Sequence, residues 1–238
     1  MTLSQLAPLV VAIAILAAPS LAMGDARDDL KNAAQAFEQG ALRQQDSDER
    51  PTGVVRWEQP IFYAAANASG SSNIERGAYL AVQRIASIAG IAFEEIPSAD
   101  ARANVRGILT DGEAPALPGQ AGARTCYSKT WWKSYRITKV ELYINFNNIG
   151  RIDRCAIHEA LHGFGFHSHP HGADSILSYV YNRRDLTKLD EFLIRTLYDR
   201  RLSPGMARLV AAKTACRILG EKMSASVADI DAVCAERK

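Results

Sequence analysis

The chain has 238 residues, with 28 Lys and Arg against 26 Asp and Glu and 47% hydrophobic residues. A formal net charge of +2 without a polybasic block excludes nucleic acid as an implied partner. The length suits one sizeable domain with a real core, or a domain with a small appendage.

Residues 1–22 carry no charged side chain, and Leu9 to Leu16 form an unbroken apolar run. Ser20, Leu21 and Ala22 supply small residues where a signal peptidase reads, and the charged Asp25, Arg27, Asp28 and Asp29 follow. The run is too short to span a bilayer, so 1–22 read as a cleaved secretory signal. The n-region lacks Lys and Arg, which keeps an uncleaved anchor as the alternative. No cysteine near the cleavage point marks a lipoprotein. The expected location is secreted or periplasmic by bacterial-type export, with no stable membrane insertion once the signal is removed.

Residues 23–55 are polar and read as an N-terminal extension, linker or propeptide with a short helix over 29–37. Folding proper is expected to begin near Trp57. A strand is predicted over 61–66, and a helix over 73–89 with Ala78, Leu80, Ala81, Ile85 and Ile88 towards a core. The triplet Asn67-Ala68-Ser69 is formally a glycosylation acceptor, a pattern too short to carry weight. Strands follow over 91–96 and 103–110, then a loop over 111–123 rich in Pro and Gly. Val140, Leu142, Ile144 and Phe146 alternate on one face of another strand. This order implies an α/β (α+β) domain, a mixed twisted sheet backed by helices. No internal repeat is visible, and no phosphate-cradling glycine loop precedes a helix.

All five histidines fall between His158 and His171. His158 and His162, four residues apart on a helix predicted over 153–164, share one helix face and can meet one tetrahedral zinc. Glu159 projects from the flank, where it can reach a zinc-activated water as general base. Gly163 and Gly165 can end the helix and turn the chain, which then presents His167, His169 and His171. A catalytic zinc usually takes three protein ligands, so one of these is required as the third; Asp174 is a further candidate ligand or orienting group.

These residues resemble the signature of the metzincin zinc endopeptidases, H-E-x-x-H-x-x-G-x-x-H. Ser175-Ile176-Leu177-Ser178-Tyr179 is similar to that family's Met-turn. Leu186, Thr187, Asp190, Ile194, Leu197 and Tyr198 resemble the helix that follows it in the family. The stretch from Tyr198 through Leu202, Pro204 and Gly205 to Met206 resembles an ending seen in exported bacterial proteins known only as a domain of unknown function. Two positions depart from the metzincin pattern: Ser168 stands where the third histidine is expected, and Leu177 stands where the methionine is. A turn longer by one residue makes His169 the favoured third ligand, with His167 as the alternative.

The resemblance implies a catalytic domain over 56–203, with a helical hairpin over 204–238. It implies a zinc-dependent endopeptidase that binds a peptide or protein substrate along an exposed sheet edge. Tyr179 would approach the metal or stabilise the oxyanion; a packed core tyrosine is the competing reading. The main rival is a catalytically silent exported module that binds metal or protein, and another is nickel or copper binding by the histidine cluster. Thr187 with Asp190 reads as a capping box, and Leu189, Leu193 and Leu197 as a core stripe. Four cysteines, Cys126, Cys155, Cys216 and Cys234, predict two disulfides with three possible connectivities. Helices expected over 205–218 and 225–236 carry Cys216 and Cys234, which could staple that hairpin and leave Cys126 for Cys155. Oligomeric state, natural substrate and cleavage preference are not legible.

Overall fold

The computed structural model describes residues 25–43, 53–66, 72–110, 126–145, 152–181 and 183–237. The segment 1–22 expected as a signal, the loop expected over 111–123, the Asn67 triplet and Phe146 lie outside the described residues.

Strands β1 (Ile61–Ala65), β2 (Phe93–Glu95), β3 (Val105–Thr110), β4 (Cys126–Lys133) and β5 (Arg136–Asn145) form one sheet in the order β2-β1-β3-β5-β4. Only β4 runs antiparallel, against β5; the other neighbours are parallel. Helix α1 (Ala26–Phe37) precedes the sheet and continues into a π-helical turn, Glu38–Leu42. Helix α2 (Ser72–Ala89) follows β1, and α3 (Ile152–Gly163) follows β5. Helices α4 (Lys188–Leu197), α5 (Arg208–Lys222) and α6 (Val227–Ala235) complete the chain. The mixed sheet with its helices is the α+β architecture that the element order implies.

Alternation places Val140, Leu142 and Ile144 in the core, each at most 2% exposed. Helix α2 buries Ala78, Ala81 and Ile85, but Leu80 is 49% exposed, against the expectation that it faces the core. Its position explains the difference: Ala78, Ala81 and Ile85 share a face at spacings of three and four, and Leu80 falls off that face. At Gly107 on β3 a Cβ would come within 2.2 Å of the Tyr63 hydroxyl and 3.5 Å of Ala78, so the missing side chain lets α2 and Tyr63 close on the sheet.

Strand β4 was not expected from the sequence pattern. It forms a hairpin with β5 whose tip residues, Ser134 and Tyr135, both have positive φ (49° and 62°), as a two-residue type I′ turn requires. Ordering also begins earlier than Trp57. Leu30, Ala33, Ala34 and Phe37 of α1 recur at helical spacing and are almost fully buried, packed in the same core as α5 and α6. From Gly53 the chain runs through this core as well. Val54 N–H donates to the Met206 carbonyl at 3.1 Å, and Gly205 N–H returns to the Val54 carbonyl at 2.9 Å.

The cysteines pair as Cys126–Cys155, tying β4 to α3, and as Cys216–Cys234, tying α5 to α6. Two disulfides fit a protein of an oxidising compartment. No described helix is long and apolar enough to cross a membrane.

Candidate metal centre

Helix α3 carries His158 and His162 one turn apart, and its C-terminus decides where the chain goes next. Phe166 N–H donates to the Leu161 carbonyl (3.2 Å) and Gly165 N–H to the His162 carbonyl (3.1 Å), the paired bonds of a Schellman ending. Gly165 takes φ +105° there, and a Cβ would lie 2.3 Å from the Val55 carbonyl oxygen. Two further end carbonyls are also satisfied. Trp57 Nε1 donates to Gly163 (3.0 Å) and the Tyr198 hydroxyl to Phe164 (2.8 Å). Burial raises the pKa of that Tyr198 hydroxyl, keeping it a neutral donor. Gly163 lies inside the helix, where a Cβ would meet Val140 of β5 at 2.8 Å. The reversal therefore rests on close contacts that larger residues would break.

The reversed chain brings His169 onto the helix pair. The three Nε2 atoms of His158, His162 and His169 lie 3.0 to 3.2 Å apart. Two of the three rings are oriented from behind. His158 Nδ1 is 3.1 Å from the Ile176 carbonyl oxygen, and His162 Nδ1 bonds the Phe166 carbonyl oxygen. A carbonyl can only accept, so each Nδ1 carries the proton and each Nε2 presents its lone pair inward. Burial, with the neighbouring His162 charge, depresses the His158 pKa to about 4 against the opposing pull of Glu159, so this imidazole is neutral at ordinary pH. Three imidazoles with converging Nε2 atoms could hold a metal ion, and among the described residues no other His, Cys, Asp or Glu joins the group. The donor set suits zinc, copper, nickel or iron over a hard cation.

The other expected site residues divide. Glu159 is half-buried on α3 beside His158. The Tyr179 ring stacks on His169 with centroids 4.2 Å apart and is 71% exposed, so it is not a packed core tyrosine. His167 is outside the triad, its ring 5.8 Å from Trp132 on β4. His171 is exposed, and Asp174 forms an exposed ion pair with Arg183 at 2.5 Å in place of a site contact. Leu177 is buried in the core beneath the turn that carries Tyr179.

What the sequence pattern missed is the support of the turn. Asp190 does cap α4 with Thr187, but it is 1% exposed and also accepts from Ser175 Oγ (2.5 Å) and from Ile176 N–H (3.1 Å). Burial pushes its carboxyl pKa up, against the lowering effect of the Ser175, Thr187 and Ile176 donors. One carboxylate thus fixes the residue whose carbonyl orients His158. Asp190→Ala would strand two buried donors, Ser175 Oγ and Ile176 N–H, and the half-buried Thr187 N–H, and should lower unfolding free energy by roughly 3 kcal/mol. Urea unfolding of the chelator-treated protein measures this. A loss below about 0.5 kcal/mol, the range of an ordinary surface change, would refute the buried network.

Residues 31–214 match DUF2927, a family described as proteins of unknown function. The chain belongs to DUF2927. The match runs from α1 into α5, so in this DUF2927 chain it takes in the π-helical turn, the three histidines and Asp190. A comparison with curated proteins finds no match. The family name assigns no chemistry, and the chemistry has to be argued from the site.

Proposed function

We propose that the protein is an exported zinc-dependent endopeptidase of metzincin type, acting in the periplasm or outside the cell. The observation that carries the reading is the convergence of three Nε2 atoms at 3.0 to 3.2 Å, with Glu159 between the first two ligands on the same helix. Metal storage does not need that carboxylate; peptide hydrolysis does.

His158, His162 and His169 would hold the ion, and three protein ligands are the usual complement of a catalytic zinc. Zinc in such a set supplies Lewis acidity, polarising a carbonyl and making water acidic near neutrality. Glu159 takes a proton from the attacking water and delivers it to the leaving amine. The exposed phenol of Tyr179, seated against His169, donates to the substrate carbonyl oxygen as negative charge develops there. Strand β4 ends the sheet order, and its Trp132 adjoins the site through His167. An extended substrate adds to that edge by main-chain hydrogen bonds, which places its backbone across the histidines.

Metal analysis of the purified mature protein, paired with cleavage of a broad peptide library, tests the reading. One zinc per chain and chelator-sensitive cleavage are expected. Full zinc occupancy without cleavage of any peptide would replace the peptidase by a silent metal-binding module.

A further inference from the structure

The loop that supplies the third histidine is held by a segment more than a hundred residues upstream. Ser168 N–H donates to the Gly40 carbonyl at 3.0 Å, and His171 N–H donates to Oε1 of Gln39 at 2.8 Å. These two amides flank His169 on either side. Both acceptors belong to the π-helical turn Glu38–Leu42 that ends the α1 helical run. The last carbonyls of a helix have no partner within it, and the Gly40 carbonyl finds its partner in the ligand loop. Gly40 is buried, and a Cβ there would meet the Phe166 ring at 3.4 Å, so the turn lies against the chain reversal itself.

The turn is anchored from behind. Leu30 and Phe37 of α1 are fully buried, and Leu30 Cδ2 lies 3.3 Å from where a Cβ would stand on Gly220 of α5. Arg237, just past α6, pairs with Glu38 at 3.3 Å and donates to the Lys31 carbonyl at 3.2 Å. Cys216–Cys234 locks α5 to α6. A continuous set of contacts therefore runs from the disulfide-locked hairpin through α1 to the backbone on both sides of His169.

We propose that Gln39 is a positioning residue for His169, and that the turn Glu38–Leu42 is a structural part of the metal centre. The inference rests on the reading that the three histidines hold zinc. His158 and His162 are fixed by their helix, whereas His169 sits on a loop whose geometry must come from elsewhere. The side-chain carbonyl of Gln39 supplies part of it. It follows that the α1 segment is not a removable cover: displacing it would loosen the third ligand and silence the site.

The test uses the full mature chain, stripped of metal and titrated with zinc against a chromogenic chelator, and separately loaded with cobalt for its visible spectrum. Gln39→Ala should bind zinc roughly tenfold more weakly, the lower end for loss of a group that orients a ligand, and its cobalt bands should shift. Gln39→Glu keeps an oxygen that accepts from the His171 amide and should restore wild-type affinity and spectrum. The melting temperature of the metal-free Gln39→Ala protein should match wild type, which separates positioning from general destabilisation. Gln39→Ala with unchanged affinity and spectrum, or equal losses in the Ala and Glu variants, overturns the positioning role alone. A wild-type protein that takes up neither zinc nor cobalt overturns the metal centre itself, and this inference with it.

Discussion

Glu159→Gln should retain one zinc per chain and lose peptide cleavage by a factor of roughly 10²–10⁴, the contribution typical of a positioned general base. The two effects separate because the carboxylate is not among the clustered donors, which are His158, His162 and His169. Its neighbour position turns it about 100° around the helix from His158, towards the flank of the metal face. Its charge raises the His158 pKa, so an uncharged Gln would leave that imidazole still more firmly neutral and fit to ligate. The amide keeps the shape of the side chain but cannot take a proton. The measurement is kcat/KM on a cleaved library peptide alongside metal content. A Gln variant as active as wild type would remove Glu159 from the chemistry, and with it the main argument for a peptidase.

What could be read in advance was what local spacing encodes. His158 and His162 share a helix face by arithmetic, Gly165 is placed to end that helix, and Thr187 with Asp190 spells a cap. Val140, Leu142 and Ile144 alternate because one face of β5 is buried. The order of these elements then limits the architecture to a sheet with helices. The unread parts are those whose partners lie far along the chain. Strand β4 hides because as an edge strand it exposes Trp131 and Trp132, which blurs the in-out alternation. Helix α1 has a buried stripe at helical spacing, yet its covering partners are α5 and α6 at the opposite end of the chain. The groups that orient His158 and His162 are the backbone carbonyls of Ile176 and Phe166, and a backbone acceptor has no residue code. Asp190 was legible as a cap and not as the anchor of the Ser175–Leu177 turn, since only folding brings that turn to it.

The choice between His169 and His167 as third ligand should show as the widest gap in zinc affinity among single histidine variants. A zinc site of the structural kind binds with about 10–16 kcal/mol, so one ligand in three or four is worth on the order of 3–5 kcal/mol. His169→Ala should therefore lose roughly 10²–10⁴-fold in affinity, at about 1.4 kcal/mol per tenfold. His169 Nε2 lies 3.0 Å from His158 Nε2 and 3.2 Å from His162 Nε2, whereas the His167 ring is directed at Trp132. Between them Ser168 is 3% exposed, with its amide held by Gly40, which fixes the register of the loop and prevents the two histidines from exchanging places. His167→Ala should accordingly bind zinc within a few-fold of wild type, and His171→Ala likewise, because that side chain is exposed. Cleavage should follow affinity in each variant. Competition with a chromogenic chelator resolves differences of this size. A His169→Ala protein that binds zinc like wild type while His167→Ala does not would mean that the turn longer by one residue is wrong and that the site closes through His167.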